Sequence, residues 1–121
     1  MKGFYEDYPG ILAAVGKTLT IKGTGSLTAS SNGYGAGIGG GNYISCGNIE
    51  IQGGTIMATG GDEAAGIGSG KDGSCGAITI TDGVTSVTAT KGEDASNSIG
   101  AGVDGSCGTV TIAAGANVTQ N

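Results

Sequence analysis

The sequence predicts an all-β chain: a parallel β-solenoid, or right-handed β-helix, with three short strands per coil, about 30 residues per coil and three to four coils. Three observations carry this prediction. One phrase recurs: Gly37-Ile38-Gly39, Ser45-Cys46-Gly47 and Ile49-Glu50-Ile51 return as Gly66-Ile67-Gly68, Ser74-Cys75-Gly76 and Ile78-Thr79-Ile80. They return again as Ser98-Ile99-Gly100, Ser106-Cys107-Gly108 and Val110-Thr111-Ile112. In every copy the first Ile precedes the Cys by eight residues, and the Cys precedes the last Ile by five. Within the runs apolar and polar residues alternate, the period of a strand with one buried face.

Taken in order, residues 1–17 read as an N-terminal cap and residues 18–121 as the solenoid, one domain in all. Phe4, Tyr5, Tyr8, Pro9, Ile11, Leu12 and Val15 stand where a first coil would carry its glycine strand. A solenoid needs such a cover because an open strand edge invites uncontrolled pairing. The first run of each coil is Leu19-Thr20-Ile21, then Ile49-Glu50-Ile51, Ile78-Thr79-Ile80 and Val110-Thr111-Ile112. The second is Leu27-Thr28-Ala29, Ile56-Met57-Ala58, Val87-Thr88-Ala89 and Val118-Thr119-Gln120. The third is Ala36-Gly37-Ile38, Ala65-Gly66-Ile67 and Asn97-Ser98-Ile99. Stacking these places Ile21 under Ile51, Ile80 and Ile112, and Ala29 under Ala58 and Ala89. The interval from Ile38 to Ile67 is 29 residues and that from Ile67 to Ile99 is 32. The difference falls in the polar corners around Asp82-Gly83-Val84-Thr85 and Lys91-Gly92-Glu93-Asp94, where insertions leave a stacked core undisturbed. A propeller would need longer repeats, near 40 residues.

Composition narrows the function classes. Glycine, at 28 of 121 residues, is far above its usual share of roughly 7%, but no strict three-residue period makes it collagen. The net charge is −5 and the five cations are all lysine, so the basic footprint of a nucleic-acid binder is missing. No apolar run approaches the roughly 18 residues of a membrane span. The acidic pair in Phe4-Tyr5-Glu6-Asp7 stands where a secretory signal would be apolar, which predicts either an intracellular protein or a piece of a longer secreted one.

Cys46, Cys75 and Cys107 occupy one repeat position and are read as an interior ladder of small apolar side chains, with a disulfide between two of them as the alternative. Zinc is disfavoured by the lack of His and of any CxxC pair. Asp72 and Asp104, each followed by Gly, are read as turn residues, with a weak calcium site as the alternative. No metal or other cofactor is expected. With neither Arg nor His, proton transfer is left to carboxylates, lysines and tyrosines, and the chain is read as noncatalytic.

Two faces could take a partner. Ser26, Thr28, Ser30, Thr55, Thr59, Ser86, Thr88 and Thr90 point outward from the second run, interrupted by Met57 and continued by Asn117 and Thr119. Such an array suits a glycan or ordered water at ice, although Thr also favours exposed strands by its branching. Gly37, Gly39, Gly66, Gly68, Gly100 and Gly102 would form a bare face against which a second copy packs. Self-association through the open C-terminal coil, at Gln120-Asn121, is the other expected contact.

The phrases Gly35-Ala36-Gly37-Ile38-Gly39-Gly40-Gly41 and Cys46-Gly47-Asn48-Ile49-Glu50-Ile51-Gln52-Gly53-Gly54-Thr55-Ile56-Met57-Ala58 resemble the glycine-rich repeats of large bacterial surface proteins. Those repeats are similar to right-handed parallel β-helices of the pectate-lyase-like kind. The resemblance covers roughly residues 18–121 and implies an extracellular, noncatalytic module for adhesion, surface display or a structural stalk. A cytoplasmic location stays open, and a polysaccharide-active enzyme fragment is the less favoured reading.

Overall fold

The computed structural model describes residues 8–121, so the cap aromatics Phe4 and Tyr5 lie outside the described residues. Among the described residues twelve short strands wind into four turns of three, and there is no helix. One sheet stacks β2 (Thr18–Ile21), β5 (Asn48–Ile51), β8 (Ile78–Ile80) and β11 (Val110–Ile112). The second stacks β3 (Ser26–Ser30), β6 (Thr55–Thr59), β9 (Ser86–Thr90) and β12 (Val118–Gln120). The third stacks the two-residue strands β1 (Ile11–Leu12), β4 (Ile38–Gly39), β7 (Ile67–Gly68) and β10 (Ile99–Gly100). Neighbouring strands in all three sheets run parallel.

Register follows from the side-chain period of two, since a slip by one residue would turn every Ile outward. Ile21 pairs with Ile51, Ile51 with Ile80 and Ile80 with Ile112, while Ala29 pairs with Ala58 and Ala58 with Ala89. These ladders are the core. Ile38, Ile49, Ile51, Ile56, Ile67, Ile78, Ile80 and Val87 are fully buried, and no single coil could shield them alone. Ile11 stands on the first rung of the third sheet, opposite Ile38, so this part of the cap joins the solenoid.

The third strand sits one to two residues later than the sequence predicts, on Ile-Gly rather than on Ala-Gly-Ile. The reason is backbone geometry. Gly39, Gly68 and Gly100 hold φ near +135°, at +134°, +136° and +135°, a region open only to glycine. β4, β7 and β10 therefore end on that residue, and the chain bends there.

Polar side chains tie one coil to the next. Asn48 accepts a hydrogen bond from the Ala77 amide at 2.9 Å, and its Nδ2 donates to Thr18 Oγ1 at 3.4 Å. Ser69, fully buried, accepts from the Gly102 amide at 2.8 Å. Ser31 donates to the Tyr8 carbonyl at 2.9 Å, anchoring the first described residue. Of the backbone groups these bonds reach, the Gly102 amide is paired by a fully buried side chain, Ser69.

Candidate functional site

The hydroxyl array is assembled as three parallel rows. Alternation along β3, β6 and β9 turns Leu27, Ile56 and Val87 inward with the alanines, which leaves the intervening residues outside. Register then aligns Ser26 with Thr55 and Ser86, Thr28 with Met57, Thr88 and Thr119, and Ser30 with Thr59 and Thr90. Asn117 and Asn121 flank β12 and carry the outer rows one coil further: Asn121 Nδ2 reaches Thr90 Oγ1 at 3.5 Å, and Asn117 Nδ2 donates to the Thr85 carbonyl at 3.3 Å. Neighbours within a row stand about 4.8 Å apart across the strands and present donors and acceptors at regular intervals. Met57 breaks the middle row and is 52% exposed.

The expected glycine face is not a face. Gly37, Gly39, Gly66, Gly68, Gly100 and Gly102 are all buried. A Cβ on Gly37 would lie 2.8 Å from the Thr59 nitrogen, one on Gly66 2.8 Å from the Ala58 carbonyl oxygen, and one on Gly102 2.7 Å from the Gly70 carbonyl oxygen. At Gly37, Gly66 and Gly102 the space of the missing side chain is taken up by the solenoid's own backbone, so these glycines serve coil-to-coil approach.

The cysteines do stack, but not as three thiols. Cys46 and Cys75 form a disulfide with Cα atoms 4.6 Å apart, and Cys107 remains a half-buried free thiol. Parallel stacking brings equivalent residues within the 4.4–6.8 Å that a disulfide spans, which the apolar-ladder reading underweighted. Burial pushes the Cys107 thiol pKa above its ordinary value, against hydrogen bonding from Ser69. Cys46 and Cys75 line an open groove of about 370 Å³ together with Val15, Lys17, Ser45 and Asn48. The bridge closes a separation of 29 residues, for which chain entropy predicts about 3–4 kcal/mol. We therefore expect Cys75→Ser to lower the midpoint of thermal unfolding, followed by circular dichroism, by many degrees. The same measurement on Cys107→Ser is expected to show a far smaller shift.

Asp72 and Asp104 are turn residues with φ of 57° each, and Tyr43, three residues before Cys46, holds the same conformation at φ 56°. In each coil a backbone hydrogen bond closes this turn, from Ile44 to Gly41, Gly73 to Gly70 and Gly105 to Gly102. Turn geometry thus accounts for both aspartates. Among the described residues no three His, Cys, Asp or Glu side chains gather closely enough to hold a metal ion.

A cluster of charge that the sequence reading did not single out gathers around Asp62, Glu63, Lys71 and Asp94. Glu63 and Lys71 form an ion pair at 2.8 Å, and the Lys71 ammonium lies 5.1 Å from the Tyr34 ring centroid. The Glu63 hydrogen bond holds the Lys71 pKa above its usual value. Asp62, beside a hollow of about 170 Å³ lined by Asn32, Gly33 and Tyr34, raises the Asp94 pKa by like-charge repulsion from the neighbouring coil. Aligning Gly61 with Gly92 would have brought these acids together on paper.

Residues 19–42 and 49–71 match the family described as beta helix repeat. Comparison with curated proteins and with solved structures finds no match. The first matched stretch contains all but the first residue of β2, then β3 and β4; the second contains most of β5, then β6 and β7. Each beta helix repeat is therefore about one coil. The later coil built from β8, β9 and β10 has the same strand pairing although its corners are longer.

Proposed function

We propose that the chain is a noncatalytic β-helix repeat module of an extracellular bacterial surface protein, serving as a stiff structural stalk. The observation that carries this reading is the disulfide between coils, Cys46–Cys75, laid against an uninterrupted ladder of buried Ile and Ala. Disulfides persist in oxidising compartments, which supports an extracellular setting. Ladders of identical residues resist bending because each coil contacts its neighbours along all three sheets. A second copy stacking on the coil edge formed by β10, β11 and β12 would lengthen the stalk. Sedimentation over a wide concentration range tests that stacking, and a constant monomer mass would remove it.

The in-register rows of Ser and Thr favour a second reading, in which the β3–β6–β9 face contacts glycan hydroxyls or ordered water. A glycan array and a thermal-hysteresis measurement separate the two. The stalk reading expects silence in both. Binding that Thr59→Tyr and Thr88→Tyr abolish, with the unfolding transition retained, would move the function to the hydroxyl face.

A further inference from the structure

The three cysteines and one disulfide raise a question of choice. Cys46 and Cys75 are bonded, yet the backbone holds Cys75 and Cys107 in the same relation. The Cys46 amide donates to the Ser74 carbonyl at 2.7 Å, and the Cys75 amide donates to the Ser106 carbonyl at 2.8 Å. The Gly76 amide donates to the Gly47 carbonyl at 3.1 Å, and the Gly108 amide to the Gly76 carbonyl at 3.1 Å. Ser74 and Ser106 form a parallel bridge, as Ser45 and Ser74 are joined through their hydroxyls at 2.9 Å. Cys107 therefore stands on the rung above Cys75 as Cys75 stands above Cys46. Two rungs of about 4.8 Å separate Cys46 from Cys107, beyond the roughly 7 Å over which two Cα atoms can be bridged. Cys75 is the necessary partner in either pairing.

We infer that the disulfide migrates along this stack. The Cys107 thiolate attacks the Cys75 sulfur, the Cys75–Cys107 bond forms, the Cys46–Cys75 bond breaks, and Cys46 leaves as a thiolate that takes up the proton Cys107 lost. One disulfide and one thiol are present before and after, so no oxidant or reductant is consumed. Thiol–disulfide exchange proceeds with attacking, central and leaving sulfurs in line, and three cysteines on successive rungs supply that order. The outcome moves the free thiol from the last coil to Cys46, a wall of the open groove that also holds Lys17.

Lysine positions make the test direct, because each cysteine falls on its own peptide after cleavage at lysine: 23–71, 72–91 and 92–121. The oxidised chain is held above the reference thiol pKa of about 8.5, because burial raises that of Cys107, so that exchange can proceed; it is then blocked with maleimide, denatured and cleaved. Label is expected on both 23–71 and 92–121, in amounts within about tenfold of each other, the ratio that 30 mV between the two pairings would give. Label confined to 92–121 after prolonged incubation overturns the inference. Variants supply a second readout. Cys46→Ser, oxidised in the same way, is expected to show no free thiol, as is Cys107→Ser. Two reactive thiols in Cys46→Ser, beside none in Cys107→Ser, would equally overturn it.

Discussion

Gly68→Ala is expected to abolish the cooperative unfolding transition of the solenoid, or to leave it only at strongly reduced denaturant concentration. Gly68 lies at φ +136°, where an L side chain costs about 1–3 kcal/mol before any contact is counted. The added Cβ would also strike the Gly100 carbonyl oxygen and lie 2.8 Å from the carbonyl carbon. Those atoms belong to the backbone of the next coil, so relief requires the rungs to part, and the β7–β10 pairing goes with them. Gly25→Ala is the matched control. No heavy atom lies within 4 Å of a Cβ built there, and its stability is expected to stay within about 1 kcal/mol of the parent. Urea titration followed by circular dichroism separates the two; equal midpoints would show that the glycine ladder is not what sets coil spacing.

The second large effect belongs to Ile51→Ala. Ile51 is fully buried, with Ile21 below and Ile80 above on the same ladder. Removing three carbons from a site that neighbours on both sides prevent from collapsing costs about 2–5 kcal/mol. That is a large share of the 5–15 kcal/mol that holds a domain of this size folded. Ile112, half-buried in the last coil, tests the cause: Ile112→Ala should cost clearly less, because its ladder continues on one side only. A loss at Ile112 as large as that at Ile51 would point to propensity in the strand rather than burial between coils.

How far the architecture could be read beforehand differs from strand to strand. The first and second runs of each coil are found where alternation places them, because inward Ile and Ala with outward Thr allow only one register on a buried sheet. The third run is displaced because its two-residue strands carry too little alternation to mark their ends, and a glycine with positive φ closes each one. The glycine positions were visible as a pattern, but whether a missing side chain faces solvent or a neighbouring carbonyl depends on the coil beyond it. The acidic corner at Asp62, Glu63 and Asp94 was hidden for a related reason. Its members are close only once coils of unequal length are laid on each other.

The sequence by itself determined the period, the three strands per coil and the ladder partners of Ile and Ala, since these rest on spacing and on which side chains shun water. Only the tertiary structure decided that Cys46 bonds Cys75 while Cys107 stays a thiol, and that the glycines are enclosed rather than displayed. It also decided that Tyr43 shares its backbone conformation with Asp72 and Asp104. These features are set by contacts between residues about 30 positions apart, where the distance between rungs, and not the local pattern, determines which atoms meet.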